Sequence, residues 1–168
     1  MASWLSLLLA SIFWVSGMAI NVIVLDAAEW LQLQGNAGRS GNVPTEILTD
    51  TMGLQAAVAL TDGVYASPVA SGDMVFVIDG SGVVFAINVK TFKVKWRFKT
   101  KGGPGNCNNV AAPAVIGKYL HVGTMAGYYY VLDCATGAMV KTIDCAEPIF
   151  SAPAVGQERV YFATLGAR

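Results

Sequence analysis

From Tyr65 onward, apolar and polar residues come in short bursts that recur at fixed spacing. Runs of five or six residues, rich in Val, Ile, Tyr and Phe and broken by Gly, Asn, Asp and Ser, predict β-strands. Four strands are expected over Tyr65–Val69, Met74–Ile78, Val83–Ile87 and Val94–Lys99. Four more are expected over Val110–Val115, Tyr119–Gly123, Tyr128–Leu132 and Met139–Ile143. The separators are turn chemistry: Ser71-Gly72-Asp73 and Gly117-Lys118, then Gly80-Ser81-Gly82 and Ala126-Gly127, then Asn88 to Lys93 and Asp133 to Ala138. No helical stripe persists for three turns in this part of the chain.

The two sets are copies of one another. Ser67 to Phe98 superimposes on Ala112 to Ile143 without a gap at an offset of 45 residues, and Ala152-Pro153-Ala154-Val155 restarts the pattern 40 residues later. A period of this length with four strands per copy is the unit of a β-propeller blade, and a β-sandwich of short strands is the competing architecture. The expected fold is therefore all-β, a partial β-propeller of about two and a half four-stranded antiparallel blades over 62–168. Residues 29–61 form a lead-in whose Ala57 to Leu60 matches the last strand of the repeat. Rings of this kind need about four to eight blades, so the chain is expected to be a C-terminally truncated fragment.

The first 25 residues carry no charge, and Trp4 to Val15 is almost wholly apolar. With Gly17-Met18-Ala19 as a small-x-small cleavage site, 1–19 reads as a secretory signal peptide, or as an uncleaved anchor helix reaching to about residue 25. The expected location is exported: periplasmic, cell-envelope or secreted, with membrane contact only through this segment. Eleven acidic residues balance eleven basic ones, which leaves no net field to recruit nucleic acid. The three cysteines form no metal or haem spacing, and no metal ligands are assigned.

At Ala86-Ile87-Asn88-Val89-Lys90-Thr91-Phe92-Lys93-Val94-Lys95-Trp96 the chain resembles the PQQ-like, or quinoprotein-type, propeller repeat, with Asn88, Thr91 and Trp96 at signature positions. The second copy keeps Asp133, Thr136 and Gly137 but has Lys141 where Trp is expected. Trp30, Gly35, Arg39, Ser40 and Gly41 are similar to the lead-in of exported members. These positions carry scaffold roles. The short Asn or Asp side chain and the Thr hydroxyl bond their own turn, Gly137 supplies a positive φ, and Trp96 is expected between blades. Phe92, at the position of Gly137, is expected to strain the turn or change its type.

The resemblance implies three readings. One is a non-catalytic exported module that binds a protein, peptide or glycan partner. Another is an accessory or sensor propeller of a larger protein. The third is a piece of a periplasmic PQQ-dependent dehydrogenase, in which PQQ and Ca²⁺ would sit on the propeller axis. No cofactor is assigned, PQQ with Ca²⁺ being implied only if the full-length parent is a quinoprotein, and no catalytic residue is named. The candidate binding loop is Lys101 to Asn109, five residues longer than the matching stretch before Pro153, where Asn106, Asn108 and Asn109 offer amide groups. Cys107 and Cys145 fall in equivalent connections of neighbouring blades, so one expectation is a disulfide between them and the other is packing of three free thiols. His121 reads as a packed residue, and Lys93, Lys95, Arg97 and Lys99 as the solvated face of an outer strand.

Overall fold

The computed structural model describes residues 29–44, 53–156 and 158–166 of the chain. The expected signal or anchor segment, residues 1 to about 25, lies outside them. Among the described residues no helix is long and apolar enough to cross a membrane.

Among the described residues ten strands form three antiparallel sheets. The first holds β1 (Val69–Ser71), β2 (Met74–Ile78), β3 (Val83–Asn88) and β4 (Val94–Lys99) in chain order. The second repeats that order with β5 (Ala114–Ile116), β6 (Tyr119–Gly123), β7 (Tyr128–Asp133) and β8 (Met139–Asp144). A hairpin of β9 (Ala154–Gly156) and β10 (Arg159–Tyr161) begins a third. Each four-stranded sheet carries its irregularity at the same place, between Ala86 and Ile87 in the first and between Val131 and Leu132 in the second.

The innermost strands are shorter than their sequences suggest. β1 and β5 start only after Pro68 and Pro113, whereas strands were expected from Tyr65 and Val110. Proline has no N–H to give a ladder, so pairing begins beyond it. The lead-in also departs from expectation. Ala57 to Leu60 forms no strand, and Leu60 instead packs on Val77, Val83 and Phe85.

Strand alternation divides each sheet into two faces. Phe76, Ile78, Val84 and Ala86 of the first sheet meet Leu120, Val122, Tyr130 and Leu132 of the second in one buried cluster. Each such side chain contributes about 1.5–3 kcal/mol on burial, which makes this seam the main core of the molecule. Tyr128 and Tyr130 point into it, while Tyr129, one residue out of phase, faces the third sheet and stacks on Phe162 with ring centroids 4.2 Å apart. The opposite face of the first sheet carries only the small cluster of Val77, Val83 and Phe85.

The signature turns are built as matched pairs. Asn88 Oδ1 accepts from the backbone N–H of Lys90 and Thr91 and from Thr91 Oγ1, at 3.1, 2.9 and 3.0 Å. Asp133 Oδ1 accepts from Ala135, Thr136 and Thr136 Oγ1 at 3.1, 2.9 and 2.9 Å. Phe92 does not change the turn type: its N–H bonds Asn88 O at 2.8 Å, as Gly137 bonds Asp133 O at 2.8 Å. It does so at φ 56°, in the left-handed region where an L side chain is strained.

Trp96 lies between the first two sheets. Its Nε1–H donates to Cys134 O at 2.9 Å, and its ring covers Gly137 so closely that a Cβ there would stand 2.6 Å from the indole. Glycine at 137 thus answers two needs, a φ of +74° and room for the neighbour's indole.

Candidate functional site

Two places in this fold gather polar chemistry. The first is the row of innermost strands, β1, β5 and β9. Three consecutive residues of the lead-in cross that row, one residue to each sheet. Trp30 O accepts from Ala70 N and Trp30 N donates to Ala70 O, both at 2.9 Å. Leu31 O accepts from Val115 N at 2.7 Å, and Gln32 Oε1 accepts from Val155 N at 3.3 Å. Ala70, Val115 and Val155 hold the same position in the three repeats. Farther along, the Arg39 guanidinium donates to Ala152 O at 3.3 Å. One inner-edge N–H in each of the three sheets is therefore taken by the lead-in.

PQQ with Ca²⁺ held by that edge would need a set of metal-ligating side chains. Trp30 to Gln32 take one N–H of each sheet, and no group of three or more His, Cys, Asp or Glu stands close enough to hold a metal ion among the described residues. PQQ with Ca²⁺ does not fit what this part of the chain offers.

The second place is the insertion. Gly103–Gly105 forms a single 3₁₀ turn, and the loop is tied down at both ends. Lys101 N donates to Tyr130 Oη at 2.9 Å. Asn109 is fully buried: its Nδ2 donates to Gly80 O at 3.1 Å, and its Oδ1 accepts from Met125 N at 2.9 Å. It joins the β2–β3 turn to the β6–β7 turn and is a structural peg, unavailable to a ligand. Asn108 is exposed and takes a left-handed φ of 54°. Asn106 is the remaining candidate. Thr100 Oγ1 donates to Gly82 O at 2.6 Å and so must accept from Asn106 Nδ2, at 2.5 Å, which fixes the amide's orientation. Asn106 Oδ1 is thereby left buried with no hydrogen-bond partner.

Asn106 lines a cavity of about 530 Å³ between the loop, β4 and the turn at Thr61 and Asp62. Val83 and Pro104 give it apolar walls; Arg97 and Lys99 bring two cations, Asp62 brings one carboxylate, and Ser81 and Thr61 bring hydroxyls. Arg97 and Lys99 sit two apart on β4, opposite Phe85 and Val83, on the face turned away from the second sheet. The alternation of basic and apolar residues along β4 assigned this face to solvent, and Lys93, Lys95, Arg97 and Lys99 are exposed. What was missing is the cavity beside it, made by the lead-in and the loop.

Other titratable groups are structural. Burial pushes the Asp79 carboxyl up, but hydrogen bonds from Thr61, from the Val83 N–H and from Ser81 outweigh it and hold the group below the ordinary Asp value. Burial lowers His121, whose Nδ1 meets Tyr129 Oη at 3.1 Å, and burial with nearby Cys145 raises Tyr129. The Cys107–Cys145 disulfide does not form, and all three cysteines are free. Cys107 lines the cavity on the far face of the first sheet, whereas Cys145 lies beside Tyr129, on the side of the second sheet that meets the third. Burial, with Asp133 beside it, pushes the Cys134 thiol up to about 11, so it stays protonated at neutral pH.

Comparison with known proteins agrees with this architecture. The family described as outer membrane protein assembly factor BamB matches residues 55–124. Outer membrane protein assembly factor BamB of Legionella pneumophila (strain Paris) is 23% identical over 162 residues, covering 91% of this chain. The chain spans 41% of the length of that relative. Among solved structures, BamB from Moraxella catarrhalis is 28% identical with a TM-score of 0.57, over 64% of this chain and 36% of that one. Quinohemoprotein alcohol dehydrogenase ADHIIG from Pseudomonas putida HK5 superimposes with a TM-score of 0.70 at 17% identity, over 83% of this chain and 23% of that one. At that identity the likeness is one of fold. Two complete four-stranded repeats and the start of a third thus give this chain the blades of a β-propeller, similar in sequence to the BamB-type repeat over residues 55–124.

Proposed function

We propose that this chain belongs to an exported, non-catalytic propeller that serves as a protein-binding scaffold in outer-membrane protein assembly. The observation that carries the reading is the lead-in across the inner strands. Trp30, Leu31 and Gln32 use the inner backbone groups of three successive sheets for structure, which leaves the outer strands and loops as the surface for recognition. The likeness to assembly factors of the same fold supports a protein over a peptide or glycan as the partner.

The reading is tested by crosslinking in cells that express the protein, followed by identification of what is captured, and by fusing 1–28 to a reporter that is active only after export. Capture of outer-membrane assembly proteins together with an active reporter is the expected result. Stoichiometric uptake of PQQ in equilibrium dialysis with Ca²⁺, with nothing captured, would transfer the chain to the dehydrogenases of this fold.

A further inference from the structure

We propose that the cavity between β4, the Thr61–Asp62 turn and the 101–107 loop binds an acidic peptide segment, with the carboxylates held by Arg97 and Lys99 and an apolar side chain seated against Val83 and Pro104. This deepens the scaffold reading and rests on it, because it names the chemistry of the partner.

Three observations converge. Arg97 and Lys99 are exposed cations that line the cavity, and no described residue forms an ion pair or hydrogen bond with either. Two residues apart on one strand face, they stand about 7 Å from each other. That matches the spacing of alternate side chains on an extended peptide. The Asp62 carboxylate lies on the side of the 61–62 turn, and the two cations outnumber it. Val83 and Pro104 line the same cavity, so a ligand of carboxylates alone would leave these two apolar residues uncovered. A segment with an apolar residue between acidic ones covers both. The third observation is Asn106, whose buried carbonyl in the cavity wall faces no donor. Peptide main chain carries N–H groups of the kind that acceptor lacks, and a free carboxylate or phosphate does not. Charge-assisted pairs with Arg97 and Lys99 are the strongest contacts available at this surface and set the sign of the partner.

The probe is a fluorescein-labelled Glu-Glu-Leu-Glu-Glu peptide amide, followed by anisotropy with the whole chain at low salt, beside a Lys-Lys-Leu-Lys-Lys counterpart. The acidic peptide should bind and the basic one should not. The double variant Arg97→Gln/Lys99→Gln should weaken binding at least tenfold. Lys141→Gln, an exposed cation on β8, should leave it unchanged, as should the thermal midpoints of both variants. Equal loss in Lys141→Gln, or no loss in the double variant, would overturn the proposal. So would displacement of the acidic peptide by low-millimolar inorganic phosphate, which would reduce the cavity to a simple anion site. A dimer in light scattering that Arg97→Glu dissociates would also overturn it, by assigning the face to a second copy of the chain. Capture of an assembly partner in cells without peptide binding here would sink this inference alone and leave the scaffold reading standing.

Discussion

Between the first and second sheets, the Trp96 indole lies against Gly137 and donates to Cys134 O; between the second sheet and the third hairpin, the matching position is Lys141. The second seam replaces that contact with others: Tyr129 stacked on Phe162, Ile149 pressed to Gly123, and a buried His121 hydrogen-bonded to Tyr129 Oη. One seam is thus closed at its outer end by an aromatic on a glycine turn, and the other nearer the axis by a stacked pair and a titratable ring. The repeat therefore specifies the blade more tightly than the joint between blades. A joint needs only buried area and satisfied polar groups, and two unrelated sets of side chains supply them.

The largest expected effect comes from removing the first joint. Trp96→Ala strips a large aromatic from a part-buried site and leaves Cys134 O without its donor, so a loss of about 3 kcal/mol is expected in chemical denaturation. A loss no greater than that of an exposed β4 substitution such as Lys95→Ala would show that the indole is surface ornament. Gly137→Ala should follow at about 2 kcal/mol, because it meets both a φ of +74° and the indole at 2.6 Å. The same substitution made with Trp96→Ala in place separates the two causes: only the backbone part, about 1 kcal/mol, should remain.

Phe92→Gly is expected to act in the other direction. The turn already holds φ 56° and the side chain is 40% exposed, so relief of strain should stabilise by about 0.5–1 kcal/mol. A destabilised variant would mean that the Phe92 ring contributes packing beyond what the turn costs. The smallest effect belongs to the second seam and depends on pH. His121 is the single histidine, and burial holds its pKa below the ordinary value, so the unfolded chain takes up the proton first as pH falls below about 6.5. Stability from the neutral ring is present above that pH and is lost as pH falls towards the folded-state pKa. Thermal midpoints between pH 7.5 and 5.5 should decline, and His121→Gln should flatten the decline. An unchanged slope in the variant would assign the titration elsewhere.

Strands and turns were legible where their causes are local. Met74–Ile78, Val94–Lys99 and Tyr119–Gly123 form over the residues that alternation and turn chemistry select. The first strands were read too long, because apolar residues ahead of Pro68 and Pro113 look like strand while the ladder cannot start until proline is passed. The lead-in was misassigned for a different reason. Ala57 to Leu60 matches a strand in composition, but it packs by its side chains without joining a ladder, Leu60 lying on Val77, Val83 and Phe85. The working contacts fall instead at Trp30 to Gln32, and two of those three are made by backbone, which leaves no trace in residue type. The loop was half legible. Three asparagines marked it, yet Asn109 is a peg, Asn108 a turn residue, and only Asn106 keeps an unused acceptor. The cavity depends on β4, the loop and the 61–62 turn meeting, and no local pattern announces that.

The lead-in contacts also order events in time. Trp30, Leu31 and Gln32 precede every described strand, yet their partners lie in all three sheets, the farthest 123 residues away. During vectorial synthesis this first-made segment has no place to dock until the first strand of each sheet has emerged and paired. Its docking is a late, high-separation step that local pairing within each sheet does not need. The segment is then the last piece to fold and, on unfolding, the first that can let go.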